Sequence, residues 1–208
     1  MVEGVGCPYL DNNGKLNRRL GNRSEHVLRI GVISDTHGSI FYFEKALQIL
    51  ESCDTIIHGG DVLYHGPRNP LPEGYNPKEL AEKINSMKNI LFARGNCDAD
   101  VDQMVIHHPI QSPYLLLQLG NYKIFVCHGH TNEKNQYIQM AKEYQINIFI
   151  YGHSHVKELY KDGDLVVLNP GSTALPKDNI HSVAIIEEDV IRLINIENQE
   201  VIKELRLI

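Results

Sequence analysis

The chain of 208 residues has few of the features that mark disulfide-rich, membrane-spanning or nucleic-acid-binding proteins. Its four cysteines have no CxxC spacing, which argues against a disulfide framework or a cysteine zinc knuckle and favours a reducing, cytoplasmic setting. No apolar run approaches the roughly 20 residues of a membrane helix, so we expect no membrane partner. Acidic residues outnumber basic ones by 26 to 20, which argues against a broad basic surface for nucleic acid and leaves only a local basic patch open.

The composition that remains is that of an ordinary globular protein, with 42% hydrophobic and 22% charged residues. Residues 1–26 differ from the rest, because they are rich in asparagine, glycine and arginine and show no helical or strand period. We expect them to form a flexible N-terminal extension that is natural, mis-started or derived from cloning. Residues 27–208 are predicted to form a single domain.

The first half of that domain alternates between strand and helix patterns. Apolar, β-branched runs predict strands, and apolar residues at helical spacing predict the helices between them, over residues 27–33, 41–50, 55–58, 77–87 and 90–93. A strand, helix, strand order predicts parallel strands joined by helical crossovers.

The second half is richer in strands. Gly120-Asn121 and Asp162-Gly163 predict the turns of two hairpins. A helix is predicted over residues 134–144, a strand over 146–151, and three further strands within 182–206. The whole pattern predicts an α/β (α+β) fold with two mixed sheets and helices outside them.

Polar groups that can bind a metal ion follow five of the predicted strands. In chain order they are DTH (35–37), GGD (59–61), GNCD (95–98), HGH (128–130) and GHSH (152–155). Each motif alone is ordinary turn chemistry. Functional groups of open α/β sheets gather beyond the carboxyl ends of the strands, so five such motifs together favour one site. Carboxylate, amide and imidazole donors suit Mn, Fe, Zn or Ni better than Ca.

The spacing within two motifs has a simple geometric interpretation. Alternate residues that leave a strand point to one side, so Asp35 and His37 are expected to reach the same ion. The same holds for His153 and His155, unless the two reach different ions.

In this order the motifs resemble the calcineurin-like metallophosphoesterase family. The loop HGPRNPLPEGYNP (65–77), the GNCD motif and NPGS (169–172) resemble more narrowly the small bacterial phosphodiesterases of the YfcE type. The resemblance covers roughly residues 28–206. It implies a four-layer αββα sandwich and a metal-dependent phosphodiesterase that hydrolyses small phosphodiesters.

The resemblance also implies a two-metal site. One ion would be held by Asp35, His37 and His155, the other by Asn96, His128 and His153, and Asp61 would bridge the two. The implied reaction is attack by a hydroxide that bridges the ions. Manganese is the first candidate metal, with Ni, Fe or Zn as alternatives.

Four further residues are candidates for catalysis or substrate binding. Cys97 stands where many family members have a histidine that is thought to protonate the leaving group or hold the phosphate, and a thiol is a weak donor by comparison. We therefore expect phosphodiesters with good leaving groups to be favoured over monoesters. Arg68 and His65 are candidate phosphate contacts. Asp98 either orients its neighbours or caps a turn.

Three alternatives accompany this interpretation. A cysteine phosphatase that uses Cys97 would need an arginine six residues later, and Gln103 stands there. A phosphomonoesterase or nucleotide hydrolase of the same superfamily stays open. So does a non-catalytic scaffold like the small metallophosphoesterase-like subunit of retromer, although all seven expected ligand positions carry competent donors, which favours an enzyme. A homodimer or higher homo-oligomer is an expectation from fold analogy alone.

Overall fold

The computed structural model describes residues 9–10, 16–17 and 27–207, and the predicted elements occur in it in the predicted order. The helices are α1 Ile40–Leu50, α2 Pro77–Ser86, α3 Asp100–Val105 and α4 Lys134–Glu143. The strands are β1 Tyr9–Leu10, β2 Leu16–Asn17, β3 Arg29–Ile33, β4 Thr55–His58, β5 Ile90–Ala93, β6 Ile110–Gln111, β7 Leu115–Leu119, β8 Tyr122–Val126, β9 Ile148–Ile150, β10 Glu158–Asp162, β11 Leu165–Asn169, β12 Ser182–Glu187, β13 Val190–Asn195 and β14 Val201–Arg206.

The larger sheet has the strand order β14-β13-β12-β3-β4-β5-β6. Strands β3 to β6 are parallel, as the strand–helix alternation predicts, whereas β12 to β14 are antiparallel to their neighbours. Ile57 pairs with Val32 on one side and Leu91 on the other, so the carboxyl ends of β3, β4 and β5 finish at one edge.

The smaller sheet has the order β10-β11-β9-β8-β7. Strands β8, β9 and β11 are parallel, and the two outer strands are antiparallel to them. Ile148 pairs with Ile124 and Val166 in this sheet, which aligns the carboxyl ends of its three parallel strands as well.

Three apolar clusters hold the layers together. Val32 and Ile57 from the larger sheet meet Val126 and Ile150 from the smaller one, and this cluster fills the space between the sheets. A second cluster packs α1 and α2 on the outer face of the larger sheet, and a third packs α4 on the smaller sheet. The layers therefore run helix, sheet, sheet, helix, and the predicted αββα sandwich is confirmed.

The two long crossover helices begin at side-chain caps. Ser39 Oγ accepts the Tyr42 N–H at 3.2 Å in front of α1, and Asn76 Oδ1 accepts the Glu79 N–H at 3.3 Å in front of α2. Pro77 occupies the first turn of α2, where its missing N–H has no intrahelical partner to lose. Both helices then bury one apolar face against the larger sheet.

Local details differ from the sequence prediction. No element was predicted over residues 100–111, where α3 and β6 lie, because a six-residue helix and a two-residue strand are too short to show a period. The second hairpin turns at Gly163-Asp164, one residue later than predicted, because Asp162 still pairs with Leu165.

The predicted N-terminal extension falls almost wholly outside the described residues. Within residues 1–26 only the short antiparallel ladder of β1 and β2 is described, with Leu10 opposite Leu16. Over the part of the chain that the structure describes, no helix is both long and apolar enough to cross a membrane.

Candidate metal centre

The polar motifs converge at the edge where the parallel strands of both sheets end. Three groups of potential ligand atoms form there, each with its atoms within 4.8 Å of one another. The groups are Asp35, His37 and His155; Asp61, His128 and His153; and His37, Asp61 and Cys97. His153 and His155 thus belong to different groups, which is the second of the two arrangements that the spacing allows.

Each carboxylate has one oxygen fixed and one turned toward the histidines. Asp35 Oδ2 accepts from Ser34 Oγ at 2.5 Å and from the His153 N–H at 3.2 Å, while Oδ1 lies 3.2 Å from His155 Nε2. Asp61 Oδ1 accepts the Cys97 N–H at 2.8 Å, while Oδ2 lies 3.3 Å from His128 Nε2. The free oxygens therefore face the centre of the cluster.

Three histidines are held in one tautomer by backbone carbonyls. Nδ1 of His37 lies 2.8 Å from Tyr64 O, Nδ1 of His128 lies 2.8 Å from Gly59 O, and Nδ1 of His155 lies 2.6 Å from Leu175 O. A carbonyl can only accept, so each Nδ1 carries a hydrogen, and each ring, in its neutral form, turns its Nε2 lone pair toward the cluster.

This arrangement is unsatisfied without a cation. Nε2 of His37 lies 3.1 Å from Nε2 of His155, which sets two lone pairs against each other. Within the described part of the chain, the buried atoms Asp35 Oδ1 and His128 Nε2 have no well-aligned hydrogen-bond partner, although His155 Nε2 and Asp61 Oδ2 lie 3.2 and 3.3 Å from them. Buried polar atoms are normally paired, so orphans of this kind mark an ion or another ligand. The donors present fit divalent metal ions of the Mn, Fe, Zn or Ni type.

The pKa values show how strongly the cluster attracts positive charge. Burial alone would lower the pKa of His128, but the Asp61 and Asp35 carboxylates outweigh it and raise that pKa to about 9. Burial would raise the pKa of Asp61, yet His128 and the Cys97 N–H hold it well below its usual range. Protons and metal ions therefore compete for the same atoms.

The backbone explanation for the Asp35 and His37 spacing was wrong. Both residues have left-handed backbone angles, with φ of 55° and 45°, so they do not continue an extended strand. Asp61, His153 and His155 are left-handed too, with φ of 59°, 64° and 57°. Aspartate and histidine adopt this conformation more readily than most residues, although non-glycine residues there store about 1 kcal/mol or more. Sharp turns, not strand pleating, aim these side chains.

Asp98 is buried and binds backbone N–H groups rather than the cluster. Its carboxylate accepts from Asp61 N at 2.9 Å, from Val62 N at 2.7 Å and from Gly95 N at 2.6 Å. It thereby joins the loops after β4 and β5 and fixes the turn that carries Asp61. This placement favours the orienting role over a catalytic one.

Asn96 and Cys97 lie at the open side of the cluster. Asn96 Nδ2 donates to Cys97 Sγ at 3.3 Å, so its amide oxygen is the atom left to act as a donor. Burial and the neighbouring Asp61 carboxylate raise the pKa of Cys97 to about 12. The thiol therefore stays protonated at neutral pH, which argues further against a cysteine nucleophile.

A pocket of about 360 Å³ opens over these residues. Of the two loop candidates, Arg68 lines it, whereas the His65 ring lies edge-on to Tyr64 and Tyr75 and is not part of its lining. Sequence reasoning missed Asn69 and Lys177, which also line the pocket. Lys177 follows the NPGS motif at the carboxyl end of β11. Its position after a parallel strand is the sequence feature that could have indicated its place at the site.

The NPGS motif braces the cluster from the smaller sheet. Asn169 Nδ2 donates to Gly152 O and to Ser154 Oγ, both at 3.0 Å, and so holds the turn before His155. Ser172 Oγ donates to Asp35 O at 2.8 Å and accepts the Leu175 N–H at 2.8 Å. The bond from Ser172 to Asp35 connects the two sheets at the site.

Residues 28–190 match the family model of the calcineurin-like phosphoesterase superfamily domain. The chain is 34% identical over 185 residues to the phosphodiesterase YfcE of Escherichia coli, with 87% of this chain and 99% of that protein covered. It is 26% identical over 171 residues to a phosphodiesterase of Methanocaldococcus jannaschii, covering 78% of this chain and 94% of that one.

Solved structures agree with the sequence matches. The structure of Escherichia coli YfcE, described as a phosphoesterase, matches 87% of this chain and all of that one with a TM-score of 0.77 and 32% identity. A structure of Vacuolar Protein Sorting 29 from Cryptosporidium parvum covers 86% of this chain and 98% of that one, with a TM-score of 0.61 and 16% identity. The second likeness shows the fold alone.

Proposed function

We propose that this chain, which belongs to the calcineurin-like phosphoesterase superfamily, hydrolyses small phosphodiesters with two divalent metal ions. The observation that carries the proposal is the pair of ligand groups at the sheet edge, each with a carboxylate oxygen and two imidazoles turned inward. The names of the sequence relatives, phosphodiesterases from a bacterium and an archaeon, support the choice of diesters.

The residues would divide between the ions as the family resemblance implies. Asp35, His37 and His155 would hold one ion, His128, His153 and Asn96 would hold the other, and Asp61 would serve both. Ions bound there would supply positive charge to the phosphate and lower the pKa of a water molecule. Manganese is our first candidate, because mixed oxygen and imidazole donors accept it readily and availability often decides between metals.

The protein's own contribution is to hold these donors and admit a phosphate. Two buried carboxylates cannot neutralise two divalent ions, so the loaded site stays positive and attracts a phosphate ester. Arg68 would bind the phosphoryl oxygens from the pocket rim. The neutral Cys97 thiol, which lies beside Asp61, would be a weak proton donor to a leaving group. Esters whose leaving group needs no proton are therefore the better substrates.

The test is a comparison of two aspartate variants. Asp61→Asn removes the carboxylate shared by both ions and should lower kcat/KM for a bis-aryl diester by at least about 100-fold, since loss of outer contacts alone costs about 10- to 100-fold. The stoichiometry of bound Mn²⁺, measured by calorimetry, should fall below two. Asp164→Asn, in the exposed turn between β10 and β11, is the control and should behave as wild type.

Wild-type activity in Asp61→Asn would remove the two-metal proposal. Binding of two ions by the wild type without hydrolysis of any ester would instead favour the scaffold alternative and direct attention to a protein partner.

A further inference from the structure

A second cleft adjoins the pocket over the metal ligands. We call it the arm cleft; its volume is about 390 Å³. It shares Asn69, His155 and Lys177 with the first pocket, so these residues form the boundary between the two. The rest of its lining comes from Pro70 in the long loop and from the segment after β11: Ala174, Leu175, Pro176, Asn179 and His181.

The segment that forms the wall of the arm cleft is held firmly against a candidate ligand. His155 Nδ1 donates to Leu175 O at 2.6 Å, and the Lys177 N–H donates back to His155 O at 3.2 Å. Farther along, Lys157 Nζ lies 2.5 and 2.7 Å from the two oxygens of the Asp178 carboxylate. The arm cleft is therefore a preformed feature of the fold, and its position relative to His155 is fixed.

Lys177 supplies a free positive charge at the boundary. Among the residues that the structure describes, its ammonium forms no ion pair, whereas the nearby Lys157 is paired with Asp178. Lys177 lines both clefts beside His155, and its N–H donates to His155 O, so the residue lies next to the ligand cluster.

The shape of a phosphodiester gives this second cleft a use. During an in-line displacement one ester arm leaves and the other stays on phosphorus, so a bound diester must place two arms in two directions. A monoester has no second arm and gains nothing from the cleft. Proline and leucine walls with an imidazole ring and two amides suit a flat group with polar edges, such as an aryl ring or a nucleoside.

We propose that the arm cleft binds the ester arm that stays on phosphorus, with a preference for aryl or nucleoside size, and that Lys177 binds a phosphoryl oxygen at its entrance. The inference rests on the proposed function and deepens it, because the cleft then contributes to the choice of diesters over monoesters.

The experiment uses the full chain loaded with Mn²⁺ and three diesters with the same p-nitrophenyl leaving group. The remaining arm is methyl, phenyl or 5′-thymidine. Wild-type kcat/KM should be about tenfold higher for the phenyl or thymidine ester than for the methyl ester. Leu175→Ala, which shortens a side chain of the cleft wall and keeps the backbone carbonyl that binds His155, should reduce that preference by about fivefold.

Lys177→Gln tests the cation separately. It should lower kcat/KM for all three diesters by about tenfold, mainly through KM, because a charge-assisted contact to phosphate is lost. Lys88→Gln is the matched control, since Lys88 is exposed and precedes β5 at the end of the sheet opposite the site. Thermal unfolding of each variant checks that the fold is kept.

The outcomes separate the two proposals. Two results would overturn the proposal that the arm cleft binds the remaining ester arm and would leave the proposed function intact. One is hydrolysis of all three diesters at rates that do not depend on arm size. The other is an unchanged preference for the larger arms in Leu175→Ala. Wild-type kinetics in Lys177→Gln would remove the role of that cation. No hydrolysis of any diester by the loaded wild type would overturn the proposed function itself.

Discussion

Cys97 is the residue that most directly relates this chain's sequence to the substrate preference that we propose. Its N–H binds Asp61, its sulfur receives the Asn96 amide, and its thiol pKa is raised to about 12. The sequence identified Cys97 as a departure from the family pattern, but the environment that keeps the thiol neutral depends on folding. A strong proton donor is thus missing from this position.

We expect Cys97→His to raise the turnover of a mono-aryl phosphate by about tenfold or more, because a positioned general acid contributes about 10²- to 10⁴-fold. Turnover of the bis-aryl diester should change little. Cys97→Ser is the matched control, because it keeps the size of the side chain and adds no strong proton donor. An unchanged ratio of diester to monoester turnover in Cys97→His would contradict the assignment.

His58 is a buried neutral histidine that no motif revealed. Its Nδ1 accepts the Gly60 N–H at 3.1 Å, and its Nε2 lies 2.9 Å from Thr36 Oγ1, which donates to Val62 O at 2.9 Å. Burial lowers its pKa to about 3. The ring therefore holds the turns that carry Asp35, His37 and Asp61, but only in its neutral form.

Because of His58, the stability of the metal-stripped protein should depend on pH in the acid range. Between pH 6.5 and 3 the unfolded state binds a proton that folded His58 does not, so stability falls as pH falls, by about 1.4 kcal/mol per pH unit. In denaturant unfolding, the free energy of unfolding of the wild type should fall by roughly 2–3 kcal/mol more than that of His58→Gln between pH 6.5 and pH 4.5. Parallel pH profiles for the two proteins would show that His58 does not titrate this way.

At the scale of elements, the strands were predictable and the turns after them were not. Apolar runs and their bounding glycines located β3, β4, β5, β8 and β9, and with them the chain positions of the candidate metal donors. The left-handed turns at Asp35 and His155 depend on contacts with other loops, and a sequence pattern does not report those. The short α3 was missed because six residues show no period. The backbone partners of Asp98, which the sequence left as either an orienting residue or a turn cap, depend on those loop contacts as well.

The turn after β5 gives the sharpest test at this scale. A Cβ on Gly95 would collide with the Asp61 carboxylate and with the Asp61 backbone nitrogen. Gly95→Ala should therefore reduce Mn²⁺ affinity and diester kcat/KM together, with a loss of about 1–3 kcal/mol in unfolding free energy.

Gly163→Ala is the control for that variant. Nothing lies within 4 Å of a Cβ there, but its φ of 65° disfavours alanine. It should lose about 1 kcal/mol of stability and keep full activity. Normal Mn²⁺ binding by Gly95→Ala would show that the close approach of these loops is not needed.

For the whole molecule, strand–helix alternation followed by hairpins was enough to predict two sheets with helices outside. Both sheets finish their parallel strands at one edge, and the packing of Val32 and Ile57 against Val126 and Ile150 brings those edges together. Asp35 and His155 can meet only because the sheets are stacked in this way. The motifs and the family resemblance were enough to propose the candidate donors, whereas the arm cleft and the place of Lys177 became visible only in the assembled layers.

The most direct test of the account is metal removal and return on the full chain. Metal-stripped protein is assayed on a bis-aryl diester and a mono-aryl monoester while Mn²⁺ is titrated and bound metal is counted. We predict no hydrolysis without metal, recovery that follows binding of two ions per chain, and faster turnover of the diester. Two bound ions without hydrolysis of either ester would contradict the account.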